Sequence, residues 1–204
     1  LGNPQVIARV VADFESVART IQFPAILKTA RFGYDGKGQA RCANVDEARA
    51  AFQSCNATPC VLEQLLPLKL EISVVLARGF DGAIAAFPVA ENQHQNGILD
   101  ISVAPARIPD QLAAEAQNIA QGLATKLDYC GVLAIEFFVI EDNDGNEKLL
   151  INEIAPRPHN SGHYTIDACL TSQFEQQVRA LCGLPLGPTT QHTPAVMVNL
   201  LGDV

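Results

Sequence analysis

Two apolar runs facing each other across a short polar turn constrain this chain more than any other stretch. Val132 to Val139 (VLAIEFFV) is β-branched, aliphatic or aromatic except at Glu136, and reads as a strand. Asn143-Asp144-Gly145-Asn146 is a strong turn signal, and Lys148 to Asn152 is the return strand. A hairpin centred between Asp144 and Gly145 sets Glu136 opposite Glu153. Directly opposed residues on antiparallel strands have Cβ atoms roughly 4.5–5.5 Å apart. Two carboxylates at that spacing repel unless a proton or a cation lies between them. Hard oxygen donors so arranged suit Mg²⁺, which takes one or two carboxylates and completes its shell with substrate phosphates and water.

The return strand leads into a stiff polar segment, and Leu149 to Thr165 reads LLINEIAPRPHNSGHYT. Pro156 and Pro158 fix φ and remove two backbone donors, so regular structure should stop there. Arg157, His159, Asn160, Ser161 and His163 follow within seven residues. A carboxylate at a strand end, followed by a cation, imidazoles and a hydroxyl, is how a site for an anionic substrate beside a metal would look. The plainer alternative is a solvated loop rich in capping residues.

Elsewhere the order of elements predicts an α+β chain. Strands are expected at 6–11, 24–29 and 60–63, with helices starting after Asp13 and Asn44. The spacing of Asn44 and Glu47 is that of a capping box. From Leu70 to Ala104 short strands alternate with turns, which predicts a mostly antiparallel sheet. Leu112, Ala116, Ile119, Leu123 and Leu127 form one apolar stripe of a long helix starting at Pro109-Asp110. A second amphipathic helix is expected over 167–182, closed by Gly183, with a linker over 187–194.

Arg31 to Gln39 (RFGYDGKGQ) carries three glycines, Gly33, Gly36 and Gly38. They permit positive φ and let exposed N–H groups approach phosphate oxygens. The spacing is not that of a P-loop. A glycine-rich hairpin loop is the bland alternative, but Lys28 upstream and Tyr34, Asp35 and Lys37 inside tilt the reading toward chemistry.

Composition sets the class. The 204 residues are 48% hydrophobic, enough for one domain, or two lobes, with a sizeable core. The net charge is −8, so attraction to nucleic acid or anionic membrane is not expected, and no apolar run predicts a membrane span. Six cysteines without a CxxC pair read as reduced, mostly buried thiols of a cytoplasmic protein. A lone histidine such as His94 is by itself more often structural than a ligand.

Four stretches together resemble an ATP-grasp enzyme: FPAILKTARFGYDGKGQ, VLEQLLPLKLEISVVLAR, ENQHQNGILD and INEIAPRPHNSGHYTIDACLTSQFEQQVRALCGLPLG. More narrowly they are similar to the N5-carboxyaminoimidazole ribonucleotide synthetases of de novo purine biosynthesis. The resemblance covers roughly Phe23 to Asp203, and its most specific part runs from Arg157 to His163. It implies the ATP-grasp fold, two lobes of mostly antiparallel sheet with packed helices. It also implies a carbon–nitrogen ligase that uses ATP, Mg²⁺ and bicarbonate to carboxylate 5-aminoimidazole ribonucleotide through carboxyphosphate, and a homodimer when complete.

Residue by residue, the resemblance places Lys28 on the ATP phosphates, and Gly33, Gly36, Gly38 and Gln39 in the loop over them. Glu63, Gln64, Leu65 and Leu66 would meet the adenine edge, Glu71 the ribose hydroxyls, and His94 the ATP site as well, against its plainer reading. Glu136 and Glu153 match the metal carboxylates, with Asn152 beside them. Tyr34, Asp35, Lys37, Arg157, His159, Asn160 and Ser161 resemble the side facing aminoimidazole ribonucleotide and bicarbonate. Of these, Tyr34, Asp35, Lys37 and Arg157 are expected to act in catalysis. Ala155 stands where the wider superfamily often carries Asn, as in the narrower family. By this reading the ATP-grasp domain spans 1–187, with a small lobe at about 23–63 and a large lobe at about 64–187. Residues 188–204 would begin a truncated carboxy-terminal domain, and an amino-terminal domain would be absent.

Overall fold

The computed structural model describes residues 5–8, 11–30, 38–55, 58–95, 97–141, 145–200 and 202. The chain forms two compact units, Leu1–Pro67 with Asn96–Ile98, and Leu68–Gln95 with Leu99–Val204.

The first unit contains β1 (Gln5–Ala8), α1 (Val11–Ala18), β2 (Ala25–Thr29), β3 (Gln39–Cys42), α2 (Val45–Ser54) and β4 (Cys60–Gln64). Its antiparallel sheet has the order β1-β4-β2-β3. Alternation along β2 buries Ala25 and Leu27, which join Leu62 of β4 under Phe14 of α1 and Phe52 of α2. The two rings stack with centroids 5.3 Å apart. α1 starts two residues before Asp13, which therefore lies in its first turn, where a carboxylate complements the helix dipole. Asn44 caps α2 through Oδ1, which accepts from Asp46 N and Glu47 N, both at 3.0 Å. Glu47 reaches back to the N–H of Ala43 at 2.8 Å, one residue beyond the usual capping-box partner.

The second unit is built on a seven-stranded sheet. Its strands are β5 (Leu68–Arg78), β6 (Ile84–Ala86), β7 (Ala90–Gln95), β8 (Ile98–Ala104), β9 (Gly131–Glu141), β10 (Glu147–Ala155) and β11 (Ala195–Val198). The order is β10-β9-β5-β7-β8-β11, with β6 beside β5. Helix α3 (Asp110–Lys126) covers one face. There it meets Ile72, Val74, Leu76, Leu133, Ile135 and Phe137. The helix buries Leu112, Ala116, Ala120 and Ala124, a stripe with a strict four-residue step, while Leu127 is 56% exposed. The expected stripe of larger residues is thus rotated: alanines let the helix lie close to the sheet, and Ile119 and Leu123 flank the contact.

The helix expected over 167–182 is two pieces, α4 (Thr165–Ala168) and α5 (Gln173–Leu181). Extended Cys169 bridges to Gln191, and Ser172 restarts the helix by capping Glu175 N at 3.2 Å. Gly183, at φ +65°, closes α5. Its N–H reaches Ala180 O at 3.2 Å, and that of Leu184 reaches Arg179 O at 2.8 Å, the bonding of a Schellman turn. Of the six cysteines, Cys42, Cys60 and Cys169 are buried and Cys182 is exposed. No helix among the described residues is long and apolar enough to cross a membrane.

Candidate active site

Strand periodicity assembles a polar group on one face of the second unit's sheet. Glu71 and Ser73 are two residues apart on β5, so they share a face. Glu71 pairs with Asn92 on β7, and Ser73 pairs with Glu136 on β9. His94 follows Asn92 by two residues, and Glu153 on β10 lies opposite Glu136. The same face toward the other end of the strands is apolar, packed against Tyr164 and Ala168.

The expected pairing of Glu136 with Glu153 arises by a route that simple counting lacks. Nearer the turn, Leu149 faces Val139 and Ile151 faces Phe137, a register that would bring Asn152 to Glu136. The ladder then shifts between Ile151 and Glu153, as in a β-bulge, and Asn152 is the extra residue. Its Nδ2 donates to Glu136 Oε2 at 3.3 Å. The bulge therefore presents both an amide and a second carboxylate to Glu136.

The electrostatics of this group are those of crowded acids around two imidazoles. Burial raises the pKa of Glu136, and the charges of Glu153 and Glu71 push the same way, against His94 and the Asn152 amide. His94 Nδ1 lies 2.8 Å from Glu71 Oε2. The contact falls short of a well-aligned hydrogen bond. Proximity to Glu71 raises the His94 pKa in spite of burial, and Glu136 and Glu153 add to the effect. Among the described residues no group of three or more His, Cys, Asp or Glu is arranged to hold a metal ion. The chain's own donors at this point are two carboxylates and an amide.

His159 closes the group from the loop after β10. Its Nε2 lies 3.5 Å from Glu136 Oε1. Burial pushes its pKa down to about 4, with Arg157, His163 and His94 acting in the same direction. At neutral pH the ring is uncharged, and its contact with Glu136 is not an ion pair. Ser161 lies in the 3₁₀ turn Asn160–Gly162 that His159 caps, and its N–H donates to His159 Nδ1 at 3.3 Å. The Ser161 hydroxyl is 2.9 Å from the same nitrogen and 2.8 Å from Ser73 Oγ. Asn160 is half-buried, with its carbonyl accepting from His163 N at 3.0 Å. Arg157 is exposed and donates through Nη1 to Pro158 O at 3.0 Å. His163 packs its ring on Phe174 at 5.7 Å, and burial lowers its pKa.

The backbone of this loop is held from α5. Gln173, fully buried, accepts from His159 N at 2.9 Å and donates to His159 O at 2.7 Å. Its own N–H donates to Thr165 Oγ1 at 3.0 Å, and that hydroxyl donates to Gly162 O at 2.6 Å. A Cβ on Gly162 would lie 2.6 Å from Gln173 Oε1, so the clamp needs glycine there.

In the first unit, Lys28 Nζ forms an ion pair with Glu63 Oε2 at 2.7 Å, and Gln39 pairs with Lys28 across β3 and β2. Gly38 has φ +76°, and a Cβ there would come 2.6 Å from Thr29 Oγ1. Gln64 donates through Nε2 to Gln22 Oε1 at 3.2 Å, Leu65 N donates to Pro24 O at 2.9 Å, and Leu66 is half-buried. Gly33, Tyr34, Asp35, Gly36 and Lys37 lie outside the described residues.

Two residues of the site escape a reading of the sequence. Ser73 was findable, since it follows Glu71 by two residues on a strand and must share its face. Gln173 carries no such signal, because its partner is fourteen residues away and reached only by the fold.

The ATP-grasp domain family matches residues 4–174. The chain is 46% identical over 200 residues to the N5-carboxyaminoimidazole ribonucleotide synthase of Bacillus subtilis, covering 98% of this chain and 52% of that protein. It is 51% identical over 180 residues to that of Brucella melitensis, covering 87% and 49%. A solved ADP complex of an N5-carboxyaminoimidazole ribonucleotide synthetase superposes with a TM-score of 0.89 at 45% identity, covering 99% of this chain and 52% of that one. The Aspergillus clavatus synthase, solved with ADP and 5-aminoimidazole ribonucleotide, gives 0.86 at 27% identity, covering 98% and 52%. The chain thus spans about half the length of the relatives it matches. With a family match over most of its length, and carboxylates paired on the central sheet, this chain belongs to the ATP-grasp family.

Proposed function

We propose that this chain is the ATP-grasp portion of an N5-carboxyaminoimidazole ribonucleotide synthetase. The reaction joins bicarbonate to the exocyclic amine of 5-aminoimidazole ribonucleotide, with ATP cleaved to ADP and phosphate. The observation that carries this reading is the Glu136–Glu153 pair with Asn152 and neutral His159 around it. The names of the relatives, and the two nucleotides held by the Aspergillus clavatus structure, support the substrate class.

The residues present fit Mg²⁺. Burial raises the Glu136 pKa and the neighbouring carboxylates add to it, and a divalent cation held by hard oxygen donors on both strands would offset both effects. When bound, that ion would neutralise charge on the phosphates undergoing transfer. Phosphoryl transfer needs positioning and charge neutralisation more than a covalent nucleophile. Lys28 would contribute a cation to the ATP phosphates and Glu71 an acceptor for the ribose hydroxyls. Glu63, Gln64, Leu65 and Leu66 would meet the adenine, and Gly33 to Gln39 would cover the phosphates. Bicarbonate attacks the γ-phosphorus and ADP leaves, giving carboxyphosphate. The amine then takes the carboxyl carbon as phosphate departs. Exposed Arg157, with Tyr34, Asp35 and Lys37, would hold the anionic substrates. Neutral His159 offers a ring N–H beside Glu136 rather than a second positive charge. Assembly as a homodimer and a cytoplasmic location belong to the same reading.

The test is made on the complete protein of which this chain is part. ATP hydrolysis should be stimulated by 5-aminoimidazole ribonucleotide with bicarbonate, and radiolabelled bicarbonate should enter the product. Incorporation of formate into glycinamide ribonucleotide instead would move the protein to a different ATP-grasp reaction. Nucleotide binding without turnover of either substrate would leave a non-catalytic module.

A further inference from the structure

The hydroxyls of Ser73 and Ser161 have no role in the reaction as written, and both side chains are closed off from solvent. Ser161 is 0% and Ser73 1% exposed. Resemblance alone places Ser161 against substrate, yet its hydroxyl is already engaged on both sides by Ser73 and His159.

The direction of this chain of hydrogen bonds can be worked out. Hydroxyl and imidazole protons can be assigned in either sense, but a backbone N–H can only donate. Ser161 N–H points at His159 Nδ1 at 3.3 Å, so Nδ1 must offer its lone pair. The proton of the neutral ring is then on Nε2, the nitrogen 3.5 Å from Glu136 Oε1. With Nδ1 as acceptor, the Ser161 hydroxyl donates to it, and the Ser73 hydroxyl donates to Ser161. Both hydrogen bonds run one way, from Ser73 through Ser161 to His159, and they leave the ring's Nε2–H on the side facing Glu136 Oε1, 3.5 Å away.

We propose that Ser161, through its backbone N–H and its hydroxyl, and Ser73, which supports that hydroxyl, are positioning residues that hold His159 as its Nε2–H tautomer, so that the ring turns a donor toward the Glu136 carboxylate. A carboxylate with such a donor beside Oε1 is held in orientation, while Oε2, which accepts from Asn152 Nδ2 at 3.3 Å, keeps lone-pair capacity for a ligand, as outer partners orient metal-binding groups elsewhere. Ser73 is suited to this because it is paired with Glu136 across β5 and β9, so one strand register sets both ends of the chain. The catalytic consequence rests on the carboxylation reading above, whereas the tautomer does not.

Long-range ¹⁵N–¹H NMR of the 204-residue chain at neutral pH reads the tautomer directly. The expected His159 pattern is an unprotonated Nδ1 and a protonated Nε2. A protonated Nδ1 in the unmodified chain overturns the proposal without any variant needing to fold. Ser161→Ala and Ser73→Ala should each raise the Nδ1–H population or broaden the ring signals by exchange, and unchanged spectra in both would also overturn it. In the complete protein each change should lower kcat about 10-fold, with KM for ATP unchanged. The double variant should lose little more, because both hydroxyls act through one ring. A KM effect alone, or multiplicative losses, would make them merely structural and overturn the proposal. If the tautomer and its response appear as expected but no carboxylation is found, the positioning stands and the functional reading fails. If carboxylation is found with a protonated Nδ1, the functional reading stands and the positioning fails.

Discussion

Glu153 stands opposite Glu136 because Asn152 bulges out of β10 just before it, and the displaced Asn152 amide turns back onto the Glu136 carboxylate. One inserted residue thus gathers two acids and an amide at one point of a hairpin. In a regular ladder Asn152 would take the place of Glu153, and the acids would lie on opposite faces of the sheet.

If that pair holds Mg²⁺ for phosphoryl transfer, Glu136→Gln and Glu153→Gln should each lower ATP-dependent carboxylation by the complete protein about 100-fold or more. The Mg²⁺ concentration for half-maximal activity should rise in both. Full activity with unchanged Mg²⁺ dependence would sink the assignment.

Without ligand, the same substitution should have the opposite sign on stability. Burial holds the Glu136 pKa above its unfolded value, so the folded chain binds that proton more tightly. Its contribution to stability is present below the ordinary carboxyl pKa of about 4.3 and is lost as pH rises through the raised folded value. Glu136→Gln should therefore raise Tm at neutral pH, with the advantage closing as pH falls through the raised folded value and gone below about 4.3. A Tm deficit at neutral pH would show that the carboxylate is stabilised by its surroundings.

The Glu71–His94 contact gives a titration prediction. Proximity to Glu71 is the largest cause of the raised His94 pKa, outweighing burial. Glu71→Gln should shift the His94 midpoint downward in an NMR titration. An unmoved midpoint would assign the shift to Glu136 and Glu153 instead.

The Gln173 clamp can be tested by stability. Gln173→Ala strands the N–H and C=O of His159 in a buried position, which should cost about 3 kcal/mol. Gly162→Ala drives a Cβ into the same amide and should cost about 1–3 kcal/mol. Both are measured by denaturant unfolding. Losses below the error of that measurement would mean that the loop re-pairs its backbone elsewhere.

Much of this molecule was written into local pattern. The hairpin follows from two apolar runs around Asn143-Asp144-Gly145-Asn146, while the pairing of its two acids, though counted correctly across that turn, needs the register shift at Asn152. Asn44, Pro109 and Gly183 mark helix ends because capping depends on a few neighbouring atoms. The period of two on β5 already put Ser73 beside Glu71. Tertiary structure decided what depends on distant partners. The bulge at Asn152 follows from the pairing of β10 with β9, not from composition. The apolar stripe of α3 turned toward Ala120 and Ala124 because a close sheet selects small side chains over larger ones. The break between α4 and α5 came from Cys169 bridging to Gln191. Gln173 became the clamp on His159 only when α5 came to lie under the loop, since a buried amide finds its partners in space rather than along the chain.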